Sequence, residues 1–176
     1  GSVYYLVNES HRIVEQSSKA AVIYGLNCTN MTLRSLNLTK NAYGILLDNS
    51  TGIRVEVSNL TENMVGMSLY ACNDSHLEGN SILANERDGL EIIASKNNSI
   101  QRNNISNNEE SGLILANSSG NDISSNIMTS NLGSGLRLNY SRQNSLQSNL
   151  LLENGAGTLL DFSGGNALRD NRIDNS

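Results

Sequence analysis

The sequence predicts an all-β fold: a right-handed, single-stranded parallel β-helix, or solenoid, of about seven coils with asparagine ladders. Three observations predict it. Six glycines, at positions 44, 66, 89, 112, 135 and 157, recur at a nearly constant interval. Apolar residues recur at the same interval, and many of the 28 asparagines share columns of the same repeat. Repeats of this length, roughly 22–23 residues per coil, are typical of solenoids, in which each unit stacks on its neighbours.

Each repeat contains three short segments in which apolar and polar residues alternate, as at Leu136, Arg137 and Leu138. This alternation places the apolar side chains on one face of a strand. Asn, Gly or Ser separates the segments, and these residues adopt the conformations that sharp turns need. No stretch has the sustained helical period of a capped helix. We therefore expect three strands and three turns per coil, wound in the right-handed sense of parallel crossovers.

Two asparagine columns predict ladders of side-chain amides. Stacked coils lie roughly 4.8 Å apart, so each amide donates to one neighbour and accepts from the other. The ladders explain the high asparagine content without invoking a function. The columns are Asn80, Asn103, Asn126, Asn149 and Asn171, and Asn41, Asn63, Asn85, Asn108, Asn131 and Asn154.

The domain organisation follows from the repeat. Residues 1–20 fit the register poorly and are apolar around residues 3–7, which predicts an N-terminal cap or an irregular first coil. Residues 21–176 are predicted to form the β-helix as a single domain. The last repeat is still in register and no capping segment follows it, so we expect either a fragment of a longer surface protein or a C-terminal edge that a partner covers.

Charge, hydropathy and cysteine spacing exclude several classes of protein. A net charge of -5 argues against nucleic-acid binding, and no apolar run is long enough to span a membrane. Cys28 and Cys72 share one column two coils apart, roughly 9.6 Å, which is beyond the ~7 Å limit for a disulfide. We therefore predict two unpaired thiols. Eleven Asn-X-Ser/Thr sequons fit an exported glycoprotein.

Residues 44–50, 97–105 and 112–115 resemble the NosD-like parallel β-helix repeat, which is also placed among carbohydrate-binding proteins and sugar hydrolases. Residues 3–8 resemble the segment that precedes such repeats in archaeal cell-surface proteins. The resemblance implies an exported or surface-anchored β-helix, for which polysaccharide interaction is the most frequent role. The name-giving bacterial protein is linked to copper-site maturation, but no copper-ligand motif of that repeat is matched here.

The outward positions of the middle sheet contain the candidate catalytic residues Glu56, Glu78 and His76. Glu56 is predicted to lie directly above Glu78, roughly 5 Å away. Two carboxylates so close repel, which predicts one raised pKa, and their separation suits a retaining glycosidase. The alternative interpretation is a solvated sheet face with interleaved charges. The candidate ligand-binding residues are Arg34, Arg54, Gln101 and Tyr70.

The outward positions of the first sheet are unusually apolar. This face is predicted to dock another domain or coil, or to form a sugar platform through Tyr70. No metal site is expected, because the two histidines, His11 and His76, lie three coils apart. The apolar outward residues are Tyr24, Leu26, Leu46, Tyr70, Ile93, Ile114 and Leu159, interrupted by Asp48, Glu91 and Arg137.

These observations predict a non-enzymatic cell-surface or extracellular module, structural or adhesive, that presents flat sheet faces to protein or glycan partners. One alternative is a carbohydrate-active enzyme, a polysaccharide hydrolase or lyase acting through the middle sheet. A second alternative is a copper-handling accessory protein of periplasmic type. No cofactor is expected. The predicted partners are the rest of the parent chain, other surface proteins, polysaccharide, or a second copy associating end to end.

Overall fold

The computed structural model describes residues 2–15 and 20–174. Every named element in this part of the chain is a β-strand, and the 23 strands form three parallel sheets. Within each sheet, neighbouring strands come from successive coils. The chain is therefore a right-handed parallel β-helix, as the repeat predicts.

The three sheets are named the first, middle and third sheet. The first sheet contains β1 (Ser2–Val7), β3 (Ala20–Leu26), β6 (Tyr43–Asp48), β9 (Val65–Tyr70), β12 (Leu90–Ile93), β15 (Leu113–Ala116), β18 (Ser134–Asn139) and β21 (Ala156–Asp161). The middle sheet contains β2 (Ile13–Glu15), β4 (Thr32–Arg34), β7 (Arg54–Glu56), β10 (His76–Glu78), β13 (Ser99–Gln101), β16 (Asp122–Ser124), β19 (Ser145–Gln147) and β22 (Ala167–Arg169). The third sheet contains β5 (Asn37–Thr39), β8 (Asn59–Thr61), β11 (Ser81–Leu83), β14 (Asn104–Ser106), β17 (Ile127–Thr129), β20 (Leu150–Leu152) and β23 (Arg172–Asp174).

The first coil begins inside the segment that the sequence assigns to a cap or irregular coil. Strand β1 pairs with β3, with a register shift between Ser2 and Val3, and β2 pairs with β4. This coil raises the number of strands in the first sheet to eight, against about seven predicted coils. It is shorter than the coils that follow, because Val3 pairs with Val22, whereas Ile23 pairs with Ile45. The constant period of the later coils therefore does not predict this first coil.

Inward-facing apolar side chains form one continuous core along the solenoid. Residues of one column stack directly, as Leu77, Ile100 and Ile123 do, and each of these three is at most 1% exposed. Burial of each such side chain contributes about 1.5–3 kcal/mol. In the last described coil the inward positions are partly open, since Leu168 is 43% exposed.

Asparagine side chains at the corners form the predicted ladders and also bind the backbone. The Oδ1 atom of Asn126 accepts hydrogen bonds from the backbone N–H (2.9 Å) and Nδ2 (3.0 Å) of Asn103. Its Nδ2 donates to the carbonyl of Ile100 (2.8 Å) and to Oδ1 of Asn149 (3.1 Å). The ladder prediction is confirmed, and each amide additionally satisfies buried backbone groups where the chain turns.

Each complete coil has four corners instead of the three turns predicted. The additional corner arises because single bridge residues, such as Thr51 opposite Asn73, stack between the first and middle sheets. Left-handed residues flank that bridge on both sides, as Asn49 (φ 47) and Gly52 (φ 66) do. Short side chains and asparagines tolerate this conformation, which explains their frequency at the corners.

Candidate functional site

The outer face of the middle sheet brings together the candidate catalytic residues. His76 pairs with Arg54, and Glu78 pairs with Glu56 on the neighbouring strand. On each strand the two outward side chains flank a buried core residue, which is Val55 in β7 and Leu77 in β10. The two glutamates therefore occupy directly paired positions on neighbouring strands, as predicted.

Each glutamate is paired with an arginine. Arg54 Nη1 lies 3.8 Å from Glu56 Oε1, and Arg102 Nη2 donates to Glu78 Oε1. The hydrogen bond and the positive charge of Arg102 hold the pKa of Glu78 below its usual value. The prediction that repulsion raises one pKa of the pair is wrong for Glu78. Arg102 lies at a left-handed corner after β13 (φ 53), outside the strand alternation, so sequence reasoning did not place it beside Glu78.

The ionised state of Glu78 limits the chemistry of this face. A retaining glycosidase needs one carboxylic acid that is protonated at the working pH, and a pair with arginine favours the charged form. A depression of about 330 Å³ lies over this region, lined by Glu56, Val57, Glu78, Gly79 and Arg102. The arrangement can donate and accept hydrogen bonds, but it does not supply a protonated acid from Glu78.

The predicted ligand-binding residues of the middle sheet have exposed partners. Arg34 Nε lies 3.0 Å from Glu15 Oε2, and Gln101 Nε2 donates to Asp122 Oδ2 (3.1 Å). Surface ion pairs of this kind contribute about 0–1 kcal/mol, so a ligand can replace one partner at little cost. Arg34 and Arg54 lie on neighbouring strands but are displaced by two positions along the sheet.

The outer face of the first sheet has the apolar character that the sequence predicts. Tyr70 is 50% exposed and lies beside Asp48 of the preceding coil. Nearer the N-terminus, the rings of Tyr5 and Tyr24 have centroids 5.6 Å apart and are tilted by 34°. Sequence reasoning identified Tyr24 but missed Tyr5, because residue 5 was assigned to the cap. The signal was the apolar alternation of residues 3, 5 and 7, which matches the strand that follows.

Both cysteines are free, as predicted, and both are buried. Burial raises the pKa of the Cys72 thiol to about 11. Cys28 Sγ donates to the carbonyl of Leu6 (3.3 Å), so this thiol is satisfied within the corner.

No group of three or more His, Cys, Asp and Glu side chains suited to a metal ion is found among residues 2–15 and 20–174. His11 Nε2 lies 3.4 Å from Nδ2 of Asn30, far along the solenoid from His76 in β10. Within the described part of the chain there is no helix with the length and hydropathy needed to cross a membrane.

Comparison with known families gives a match over most of the chain. A family model described as "Periplasmic copper-binding protein (NosD)" matches residues 4–154. No curated protein matches by sequence. The described residues do not fit a copper site, because soft or imidazole ligands would have to come together and His11, His76 and the two buried thiols do not form such a cluster. Three of the four methionines, Met31, Met67 and Met128, are buried in the apolar core.

Solved structures share the fold at low sequence identity. The periplasmic alginate epimerase AlgG is similar, with a TM-score of 0.76 and 15% identity over 97% of this chain and 50% of that chain. The A-module of the Azotobacter vinelandii mannuronan C-5 epimerase AlgE4 has a TM-score of 0.67 and 14% identity over 93% and 60%. Dettilon tailspike protein (gp208) has a TM-score of 0.69 and 14% identity over 86% and 37%. The chain spans about half of the epimerase AlgG, and the likeness establishes the fold alone.

Proposed function

The chain belongs to the family described as periplasmic copper-binding protein (NosD). We propose that this member is an exported, non-enzymatic module that binds polysaccharide on the flat outer faces of its sheets. Two solved structures of the same fold support a glycan partner, because they are an alginate epimerase and a mannuronan C-5 epimerase.

One observation carries the non-enzymatic part of the proposal. Arg102 pairs with Glu78 and lowers the pKa of that carboxyl group, and Glu56 lies within ion-pair distance of Arg54. Carboxylates paired with arginine accept hydrogen bonds from the hydroxyl groups of a sugar, which supports binding of a sugar chain on this face. Glu78 is also poorly suited to donate the proton that a glycosidase transfers to the leaving oxygen.

The proposed binding residues present donors and an aromatic ring at the surface. Arg34, Arg54 and Gln101 offer N–H groups on the middle sheet, and Tyr70 offers a half-exposed ring on the first sheet. Arginine recognises hydroxyl and carboxylate oxygens through its planar set of donors. A polysaccharide crossing several coils can contact one such group per strand.

The decisive experiment incubates the intact chain with a panel of neutral and acidic polysaccharides and measures retention and new chain ends in the same samples. The proposal expects retention without new chain ends. Cleavage that is lost in Glu78→Gln, with the circular dichroism spectrum unchanged, would replace binding by hydrolase or lyase activity. Ser99→Ala, on the adjacent strand of the same face, is the matched control and should leave every signal unchanged.

A further inference from the structure

A narrow groove lies on the outer face of the first sheet near its N-terminal end. Its volume is about 260 Å³, and its lining includes Tyr5, Tyr24, Leu26, Leu46 and Asp48. This volume is slightly below the ~300–1,000 Å³ of pockets for drug-sized molecules, so the groove suits one small ring. A protein partner needs ~800 Å² of surface on each side, far more than this groove offers.

The groove combines two flat aromatic surfaces with one anionic acceptor. Tyr5 is 70% exposed, and the plane of its ring is tilted by 34° from that of Tyr24, against 9° in the stacked pair described below. Asp48 lies two coils from Tyr5 at the groove edge, and its carboxylate has no hydrogen-bond or ion-pair partner among the described residues. None of the lining residues is a cation.

These features match the chemistry of a neutral sugar ring. A pyranose has an apolar C–H face that packs on an aromatic ring, and hydroxyl groups that donate to a carboxylate. A uronic acid is disfavoured, because its own carboxylate would approach Asp48 with no cation between them. Resting on the proposed function, we infer that the Tyr5–Tyr24 groove binds one ring of a neutral polysaccharide, with Asp48 as the hydroxyl acceptor.

A second aromatic pair among the described residues provides a control. Tyr140 and Phe162 stack almost parallel, with centroids 4.8 Å apart and an interplanar angle of 9°. Each ring therefore covers one face of the other. Both are well exposed, at 55% and 72%, so their substitution tests whether any surface aromatic ring suffices.

The test titrates the intact chain with three probes: a β-1,4-linked glucose hexamer, a mannose hexamer and a mannuronate hexamer. Binding is followed by calorimetry and by tyrosine fluorescence, which is the reporter because the chain has six tyrosines and no tryptophan. At least one neutral hexamer should bind, and Tyr5→Leu and Tyr24→Leu should each weaken it about tenfold. Phe162→Leu should leave the affinity unchanged.

Asp48→Asn distinguishes binding in this groove from nonspecific binding of sugar elsewhere on the surface. The variant should weaken the neutral hexamer about tenfold, because a charge-assisted hydrogen bond is lost. It should strengthen mannuronate binding, because the repulsion is removed. Weaker binding of both probes would overturn the role of Asp48.

Three outcomes distinguish the failure of this inference from that of the proposed function. Neutral sugar that binds equally well to Tyr5→Leu and Asp48→Asn overturns the groove but leaves glycan binding standing. Mannuronate binding that is tighter than that of both neutral hexamers and is weakened by Tyr5→Leu also overturns it, because the arginines of the middle sheet cannot account for that loss. No binding of any hexamer, together with no retention by polysaccharide, overturns both proposals. Tyr5→Leu changes an exposed side chain, so its spectrum and unfolding midpoint should match those of the unaltered chain.

Discussion

Replacement of Asn126 by leucine is expected to be among the most destabilising single changes in a corner of the solenoid. Asn126 is 1% exposed, and its side chain makes four hydrogen bonds that join three successive coils. Leucine has a similar size and branching but neither donates nor accepts. The change therefore removes the polar ladder while leaving the packing volume nearly constant.

The magnitude follows from the groups that lose a partner. The backbone N–H of Asn103 loses its acceptor, and the carbonyl of Ile100 loses a donor. Nδ2 of Asn103 keeps the carbonyl of Leu77, and Oδ1 of Asn149 keeps the backbone N–H of Asn126. Each buried group left unsatisfied costs about 1–3 kcal/mol, and burial of the leucine returns part of that. The expected net loss is about 2–4 kcal/mol, out of a total stability of typically 5–15 kcal/mol.

The assay is urea unfolding followed by far-ultraviolet circular dichroism. Asn104→Leu is the matched control, because it makes the same chemical change one position after the buried ladder residue Asn103, at an exposed residue of β14. Ser106, which donates to the Asn104 side chain, keeps the hydroxyl of Thr129 as a partner. The control should change the free energy of unfolding by less than about 0.5 kcal/mol. If Asn104→Leu destabilises the chain as much as Asn126→Leu, the ladder does not carry the stability assigned to it.

Three further predictions follow from buried or crowded groups. Burial raises the pKa of Asp88 from 3.8 to about 6, so the folded protein favours the protonated carboxyl group. The free energy of unfolding is therefore highest, as far as Asp88 determines it, below pH ~4 and falls as the pH rises to ~6. Asp88→Asn keeps an acceptor for the N–H of Ser111. It should raise the free energy of unfolding by about 1–2 kcal/mol at pH 7 and change it little at pH 3.5. Equal effects at the two pH values would contradict this prediction. Gly112→Ala should cost about 1–3 kcal/mol, because a Cβ there meets the backbone oxygen of the next coil at 2.7 Å, whereas Gly164→Ala, with nothing within 4 Å, should be nearly neutral in the same urea titration. Cys72, whose pKa is raised to about 11, should react with a thiol-specific disulfide reagent at pH 8 only after unfolding, and fast labelling of the native chain would show that the corner opens.

At the corners, the sequence predicts the columns of stacked residues but not the left-handed backbone conformation. The columns that include Asn126 and the core position Ile123 are readable because each coil repeats the same environment at a nearly constant interval. The left-handed backbone at Asn49 is not readable in the same way, because positions of its column also hold Tyr140 and Phe162. Neighbouring coils impose the turn there, whatever the local propensity.

The repeat pattern is sufficient to predict the parallel β-helix, its asparagine ladders and the two unpaired thiols. These features depend on which residue lies above which, and a constant period specifies that directly. Two contacts become visible only in three dimensions: Arg102 reaches Glu78, and a shorter first coil brings Tyr5 beside Tyr24. The first contact depends on the direction of a long side chain at a left-handed corner, and the second on a coil whose shorter length breaks the period. Such contacts are set by the three-dimensional path of the backbone, which the repeat pattern does not encode.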